Sequence, residues 1–126
     1  MFILGITSRK RLEGVHKDLV SVVERAIRLT EVDFTVTEGL RSPERQKTLV
    51  AKGASQTMNS RHLTGHAVDL AALIDGEISW DWPLYYKIAD AMKKAAKELN
   101  IPIVWGGDWK FKDGPHFELD WKSYPK

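Results

Sequence analysis

The sequence predicts an α+β fold, in which helices pack on a small antiparallel sheet. Stretches with the 3.6-residue hydrophobic spacing of helices are interspersed with short stretches rich in β-branched and aromatic residues. The connections between the strand-like stretches resemble hairpins, which favours this class over a doubly wound parallel sheet. The length of 126 residues and the hydrophobic content of 43% fit one globular core, so residues 1–126 are expected to form a single domain.

Three elements are predicted in the first half of the chain. Apolar residues recur at helical spacing over residues 12–27, and a break is expected near Gly14. Residues 34–37 alternate and include β-branched side chains, which is typical of a strand. A second helix begins with Ser42 as its cap and Pro43 in its first turn, and it ends near Gly53.

The second half contains the clearest helix of the chain. A polar loop over residues 54–61 leads to a short strand at 66–71, and Asp75-Gly76 marks a turn. An apolar stripe predicts a helix over residues 85–99, opened by residues 81–83 and ended by Asn100 and Pro102. The last elements are a strand at 103–105, a turn at 106–108 and a strand at 116–119.

Composition excludes several classes of function. The 19 Lys and Arg against 17 Asp and Glu give a formal charge of +2, too mild to indicate nucleic-acid binding. No apolar run approaches the ~20 residues of a membrane span, and the N-terminal basic residues follow the apolar ones, the reverse of a secretory signal. We therefore expect cytosolic synthesis and no membrane insertion. Because cysteine is absent, any metal must be bound by His, Asp and Glu.

The candidate metal ligands are His62, Asp69 and His116. Alternation along the predicted strand places Asp69 between small alanines on one face, while its apolar neighbours anchor the other face in the core. Two imidazoles and one carboxylate leave a fourth position for water, which is the pattern of a catalytic zinc site. His66 stays a rival ligand, because it lies four residues after His62 and would share its face in a helix. His16 is expected to be a surface or capping residue.

A carboxylate suited to proton transfer precedes the last candidate ligand. Asp113 lies three residues before His116, and the intervening Gly-Pro predicts a tight bend that aims both side chains at one metal. A carboxylate beside a zinc-bound water can take its proton and pass it to the leaving amine, so Asp113 is a candidate general base and acid. Glu118 shares a strand face with His116 and is a candidate partner for a ligand imidazole.

Four segments together resemble one family of enzymes. Residues 60–69, SRHLTGHAVD, resemble the S-x-H-x-x-G-x-A-x-D signature of the VanY-type D-Ala-D-Ala carboxypeptidase and endolysin metallopeptidases, and residues 113–116, DGPH, resemble their closing D/E-x-x-H. Residues 38–46, EGLRSPERQ, are similar to the family's G-x-R-S-x-x-x-Q segment. Residues 105–109, WGGDW, resemble a stretch of its phage members. The resemblance begins at the first helix and covers nearly the whole chain.

The resemblance implies a set of site residues. It implies zinc held by His62, Asp69 and His116, with Asp113 as the catalytic base. It also implies a substrate cleft lined by Ser60, Arg41 and Gln46, with Trp109 against the stem peptide or a sugar. A fixed guanidinium at Arg41 can stabilise the negative charge that develops on the attacked carbonyl, or can pair with a substrate carboxylate.

The resemblance also implies a function. Among the family's members, a phage endolysin that cuts the L-Ala-D-Glu bond of the peptidoglycan stem peptide fits best, because the sequence shows no signal peptide or membrane anchor. We expect a monomeric catalytic domain without a wall-binding module. It would be made in the host cytoplasm and reach the periplasmic wall after a holin opens the inner membrane.

Two other functions stay open at this point. A D-Ala-D-Ala carboxypeptidase or dipeptidase would use the same zinc centre, because the motifs do not encode the choice of bond. A non-catalytic wall- or peptide-binding module with a structural metal is the second alternative. Asp113 disfavours the binding module, since such a module has no need for an extra carboxylate beside an open zinc.

Overall fold

The computed structural model describes residues 2–53 and 60–125. Its helices are α1 (Ile6–Arg11), α2 (Lys17–Leu29), α3 (Pro43–Ala51) and α4 (Trp82–Leu99). Its strands are β1 (Phe34–Glu38), β2 (Ala67–Ile74), β3 (Glu77–Ser79), β4 (Ile103–Trp105) and β5 (His116–Leu119). Two short 3₁₀ helices lie at Arg61–Thr64 and Gly106–Asp108. The predicted α+β class is confirmed.

The strands form one antiparallel sheet in the order β1-β2-β5-β4, and β3 pairs with β2 as a hairpin. The last strand, β5, therefore lies between β2 and β4. Its register places His116 directly opposite Asp69 and Phe117 opposite Val68. Because directly opposed residues point to the same face of a sheet, this pairing sorts polar and apolar side chains of both strands onto opposite faces.

The apolar face of the sheet is covered by α2 and α4, which also pack against each other. Strand residues Val68, Leu70, Phe117 and Leu119 are fully buried. The helices contribute Leu19, Val22, Val23, Ala26 and Ile27 from α2 and Tyr85, Ile88, Ala89, Ala91, Met92, Ala95 and Ala96 from α4. This core anchors β2 and β5 from behind and leaves their other face for the polar residues.

The first predicted helix was wrong in its extent. The chain instead forms α1, ends it at Arg11, turns through residues 12–15 and starts α2 at Lys17. The predicted break at Gly14 is confirmed: its φ of +83° lies in the left-handed region that favours glycine. Leu12 and Val15 are buried from within the turn, so their helical spacing reflected burial and not a continuous helix. His16 caps α2, since its Nδ1 accepts from the amide of Asp18.

The remaining elements agree with expectation more closely. The Asp75-Gly76 turn is confirmed with φ values of +52° and +81°, but β2 runs on to Ile74 and pairs with β3, which was not predicted. Asn100 ends α4 with φ of +59°. Most of the loop predicted over residues 54–61 lies outside the described residues. No described helix has the length and apolarity needed to cross a membrane.

Candidate metal centre and cleft

Three elements bring His62, Asp69 and His116 together. Asp69 projects from β2 and His116 from the opposed position of β5, while His62 lies in the 3₁₀ helix whose first turn Ser60 caps. Asp69 Oδ1 lies 3.3 Å from His62 Nε2 and 3.4 Å from His116 Nδ1. One ligand atom from each residue lies within 4.8 Å of the others. The register of β2 and β5 thus builds the group that the sequence suggested.

Two atoms of this group are buried without a hydrogen-bond partner. His62 Nε2 and Asp69 Oδ1 are both inaccessible to water and accept or donate no hydrogen bond. Leaving such atoms unpaired is costly, so native proteins pair them with another group or an ion. Two imidazole nitrogens and a carboxylate oxygen are the donors that zinc prefers, and they leave an open position. The residues therefore fit a divalent metal.

Each imidazole is oriented by its second nitrogen. His62 Nδ1 donates to the carbonyl of Gly39 at 2.9 Å, which leaves the lone pair of Nε2 facing the group. His116 Nε2 lies 2.7 Å from Glu118 Oε1, which turns Nδ1 toward Asp69. The expected contact between Glu118 and His116 is thus present. Both supports are themselves buried, so the rings are held before any metal binds.

The charges of the group are strongly coupled. Burial alone would raise the pKa of Asp69, but its contacts with His116 and His62 outweigh burial and hold that pKa well below its usual range. Burial alone would lower the pKa of His116, yet the carboxylates of Asp69 and Glu118 raise it to about 9. Without metal, the ring of His116 therefore carries a proton at neutral pH.

Asp113 reaches the cleft through a close approach of two backbones. Its amide donates to the carbonyl of Gly106 at 3.0 Å, and its own carbonyl accepts from the amide of His116 at 3.2 Å. A Cβ at Gly106 would lie 2.5 Å from the Asp113 carbonyl oxygen and 3.0 Å from the Cβ of both Asp113 and His116. Burial, followed by the charge of Asp69, raises the pKa of Asp113. Glycine is thus required at residue 106, where Asp113 and His116 come together.

A β-bulge brings the carboxylate of Glu38 into the site, and sequence reasoning missed this residue. Val36 pairs with Leu70 and Glu38 pairs with Asp69, so Thr37 is one extra residue in β1. Simple alternation would place Glu38 on the face of buried Val36, whereas the bulge turns it to the face of Asp69. The sequence did offer one indication of this contact, because Glu38 lies three residues before Arg41. Bulges of this kind recur next to active sites.

Arg41 is held in place by that carboxylate. Its Nε and Nη2 donate to the two carboxylate oxygens of Glu38 at 2.8 and 2.7 Å, and its Nη1 donates to Gln46 Oε1 at 2.7 Å. Its Nη2 also lies 3.8 Å from Asp69 Oδ2. The hydrogen bond from Arg41 lowers the pKa of Glu38 against the effect of burial. A nearly buried guanidinium therefore stands beside the metal ligands in a fixed orientation.

These groups line one cleft of about 860 Å³. Of the residues expected at the substrate, Ser60, Arg41 and Trp109 line it, and the Trp109 ring lies 5.1 Å from that of His116. Gln46 is fully buried behind Arg41 and is not among the lining residues. Sequence reasoning missed several other lining residues: Arg61, Lys110, Phe111, Lys112 and Trp121.

The rival ligand His66 lies elsewhere. Its ring faces His16 at 5.6 Å, and its Nδ1 lies 2.6 Å from Thr64 Oγ1. The chain bends at Gly65, with φ of +75°, so residues 62 and 66 do not share a helical face. Among the described residues, His66 does not belong to the group that could bind a metal.

Known proteins match this chain over most of its length. A family model for phage L-alanyl-D-glutamate peptidase matches residues 1–124. The L-alanyl-D-glutamate peptidase of Escherichia phage T5 is 34% identical over 127 residues, which cover 98% of this chain and 93% of that protein. The L-alanyl-D-glutamate peptidase of Listeria phage A118 is 35% identical over 94 residues, 74% of this chain and 32% of that protein.

Solved structures share the fold. The crystal structure of the Serratia marcescens L-Ala D-Glu endopeptidase ChiX superposes with a TM-score of 0.93 at 51% identity, over 98% of this chain and 95% of ChiX. The vancomycin-resistance D,D-pentapeptidase VanY, solved in complex with Zn(II), has a TM-score of 0.58 at 18% identity, covering 83% of this chain and 72% of VanY, and shares the fold alone. By the extent of the family match and the identity to its phage relatives, this chain belongs to the phage L-alanyl-D-glutamate peptidase family.

Proposed function

We propose that this protein hydrolyses the amide bond between L-Ala and D-Glu in the stem peptide of bacterial peptidoglycan. Its family and its 51% identity to ChiX over nearly the whole chain support this bond and substrate. The observation that carries the proposal is the convergence of two unpaired buried ligand atoms with an aspartate at the floor of an open cleft. That arrangement suits metal-assisted hydrolysis of a peptide laid along the cleft.

The metal we propose is Zn²⁺, held by His62, Asp69 and His116. The donor set of two imidazoles and one carboxylate is the one found in catalytic zinc sites that keep an open position. When bound, zinc supplies Lewis acidity, which polarises the scissile carbonyl and makes a water nucleophilic at neutral pH. Gly39 and Glu118 fix the two rings, so the protein sets the direction of both nitrogens.

Asp113 is the proposed general base and then the general acid. Its carboxylate faces the cleft next to the ligand group, where it can accept a proton from the attacking water and deliver it to the amine of D-Glu as the bond breaks. The raised pKa of Asp113 favours this second step, because a less acidic aspartate holds the proton more strongly between the two transfers.

Arg41 is proposed to stabilise the charge that develops on the attacked carbonyl oxygen. Its donors are largely engaged by Glu38 and Gln46, so it acts through a fixed positive charge at the cleft wall. Gln46 is then a positioning residue that holds Arg41 from behind. Ser60 and Trp109 are proposed to contact the peptide, since both line the cleft beside the ligands.

The test is mass spectrometry of products released from purified Gram-negative sacculi. The protein is used as prepared, after chelation, and after chelation followed by zinc. Chelator-sensitive release of peptides that begin with D-Glu is the expected result. Release of terminal D-Ala alone would assign the D,D-carboxypeptidase alternative instead, and the lack of any product under all three conditions would favour a binding module.

The cellular setting follows as part of the same proposal. A phage enzyme with this substrate is made in the host cytoplasm and meets peptidoglycan in the periplasm after a holin opens the inner membrane. We propose that it acts as a monomer. Sedimentation of the zinc-loaded protein tests the monomer. Lysis timing in cells that express the protein with and without a holin tests the release route.

A further inference from the structure

Two lysines on one wall of the cleft have no anionic partner. Lys110 and Lys112 both line the cleft on the segment that precedes Asp113, and neither forms an ion pair with a described residue. Their ammonium groups instead lie near aromatic rings, 6.0 Å from the centre of Phe111 for Lys110 and 5.8 Å from the centre of Trp82 for Lys112. Two exposed cations are thus presented to whatever occupies the cleft.

The other cations of the cleft are already engaged. Arg41 donates to Glu38 and Gln46, and Arg61 donates to the carbonyls of Leu119 and Tyr124 while it stacks on Trp121 at 4.2 Å. Arg61 is also only 2% exposed, and its Nε and Nη1, which have no hydrogen-bond partner in the described part of the chain, are buried away from water. Among the described lining residues, the two lysines are therefore the cations available to a substrate anion.

The cleft also contains carboxylates that would oppose a substrate anion lying beside them. Four carboxylates line it, namely Glu38, Asp69, Asp113 and Glu118. A substrate carboxylate that binds close to one of these side chains is repelled unless a cation lies beside its binding position. The aromatic neighbours restrict where the lysine ammonium groups can lie, which reduces the entropy lost when they bind an anion.

The D-Glu residue of the proposed substrate carries a free carboxylate close to the scissile bond. In the stem peptide the D-Glu residue continues through its side-chain carboxyl group, so its α-carboxylate stays free on the carbon next to the scissile nitrogen. Asp113 must lie near that nitrogen if it protonates the leaving amine. Lys112 is its chain neighbour on the same wall of the cleft. The α-carboxylate therefore falls within reach of the wall that carries Lys110 and Lys112.

We propose that Lys110 and Lys112 bind the free α-carboxylate of D-Glu and make the enzyme select peptides in which this group is not amidated. The inference rests on the proposed cleavage of the L-Ala-D-Glu bond and adds the feature by which that bond is chosen. A charge-assisted hydrogen bond is lost when the carboxylate becomes an amide, because an ammonium gains less from a neutral oxygen than from an anion.

The test compares two synthetic peptides with the zinc-loaded protein. One is L-Ala-γ-D-Glu-meso-diaminopimelate, and the other carries the D-Glu α-carboxyl group as an amide. The wild type is expected to cleave the carboxylate peptide at least about tenfold more efficiently, by kcat/KM. The double variant Lys110→Gln/Lys112→Gln should lose this preference by slowing on the carboxylate peptide while it keeps its rate on the amide within about twofold.

Lys87→Gln is the matched control, since it removes one exposed lysine of α4 that does not line the cleft and should leave the preference unchanged. Zinc content equal to that of the wild type shows that the double variant keeps its metal group. Equal cleavage of both peptides by the wild type, or equal losses on both peptides in the double variant, would overturn the inference while leaving the proposed reaction intact. Cleavage of neither peptide by the wild type would overturn the proposed function and this inference with it.

Discussion

Substitution of Gly106 by alanine tests whether the close packing of two backbones builds the site. The added Cβ would lie 2.5 Å from the carbonyl oxygen of Asp113, where an ordinary contact is at least 3.4 Å. It would also meet the Cβ of Asp113 and of His116 at 3.0 Å each. The nearest obstacle is backbone, which cannot rotate away as a flexible side chain can, so residues 113–116 must shift.

The expected loss of stability is moderate and the expected loss of function is large. Overpacking of this kind destabilises the folded protein by about 1–3 kcal/mol. Alanine also lowers the conformational entropy of the unfolded chain, which offsets about 0.4–1 kcal/mol of that loss. A net loss of about 1–2 kcal/mol lowers the melting temperature by roughly 4–8 °C for a chain of this size. Displacement of a catalytic base by about 1 Å costs on the order of 10²-fold in rate, and distortion around a ligand costs about 10–100-fold in zinc affinity.

The assays are thermal unfolding, zinc titration and hydrolysis of the L-Ala-D-Glu peptide. Gly5→Ala is the matched control, because it adds the same methyl group where nothing lies within 4 Å, and it should behave as the wild type. If Gly106→Ala matched Gly5→Ala in zinc affinity and in rate, the packing of residue 106 against residues 113–116 would not position the site.

Four further predictions concern the proposed ligand group and the proposed base. Asp113→Asn should keep its fold and zinc but lose about 10²–10⁴-fold in rate, and hydrolysis at the native rate would remove Asp113 from the mechanism. His62→Ala and His116→Ala should each lose zinc, measured by metal content after dialysis, and unchanged content in either variant would exclude that residue as a ligand. Because the pKa of His116 is about 9 without metal, zinc binding at pH 7.5 should release about one proton. Calorimetry in buffers of different ionisation enthalpy counts that proton, and a count near zero would contradict the assignment. The same raised pKa means that the contribution of the His116 ion pairs to the stability of the metal-free protein is fully present below about pH 6.5 and is lost as the pH rises toward about 9. Thermal unfolding of the metal-free protein across this pH range measures that contribution, and a melting temperature that rises with pH would contradict it.

Much of the candidate site could be predicted because its ligands lie on regular elements. Period-2 alternation is enough to place Asp69 on the polar face of β2 and to place His116 and Glu118 on one face of β5, and the structure has them there. The tight bend before His116 was likewise visible in the Gly-Pro pair. These inferences needed only local patterns and a rigid strand.

The features that sequence reasoning missed depend on contacts between distant segments. The bulge at Thr37 appears only when β1 pairs with β2, and it alone turns Glu38 toward Arg41. The helical spacing of Leu12 and Val15 is equally misleading in isolation, since both are buried by a turn that packs on the core. In each case tertiary packing overrides the local pattern.

The position of β5 between β2 and β4 has a consequence for the order of folding events. His62 and His116 lie 54 positions apart in the chain, and the whole hairpin with β3 and the long helix α4 separate β2 from β5. Closing a loop of this length carries an entropic cost that is repaid only as the strands pair, which makes such contacts slow to form. The hairpin of β2 and β3 and the helix α4 can form earlier from local contacts, but of the three proposed ligands they carry only Asp69. If zinc is the bound metal, its proposed site is complete only after β5 has paired with β2, so we expect zinc to slow unfolding more than it speeds folding.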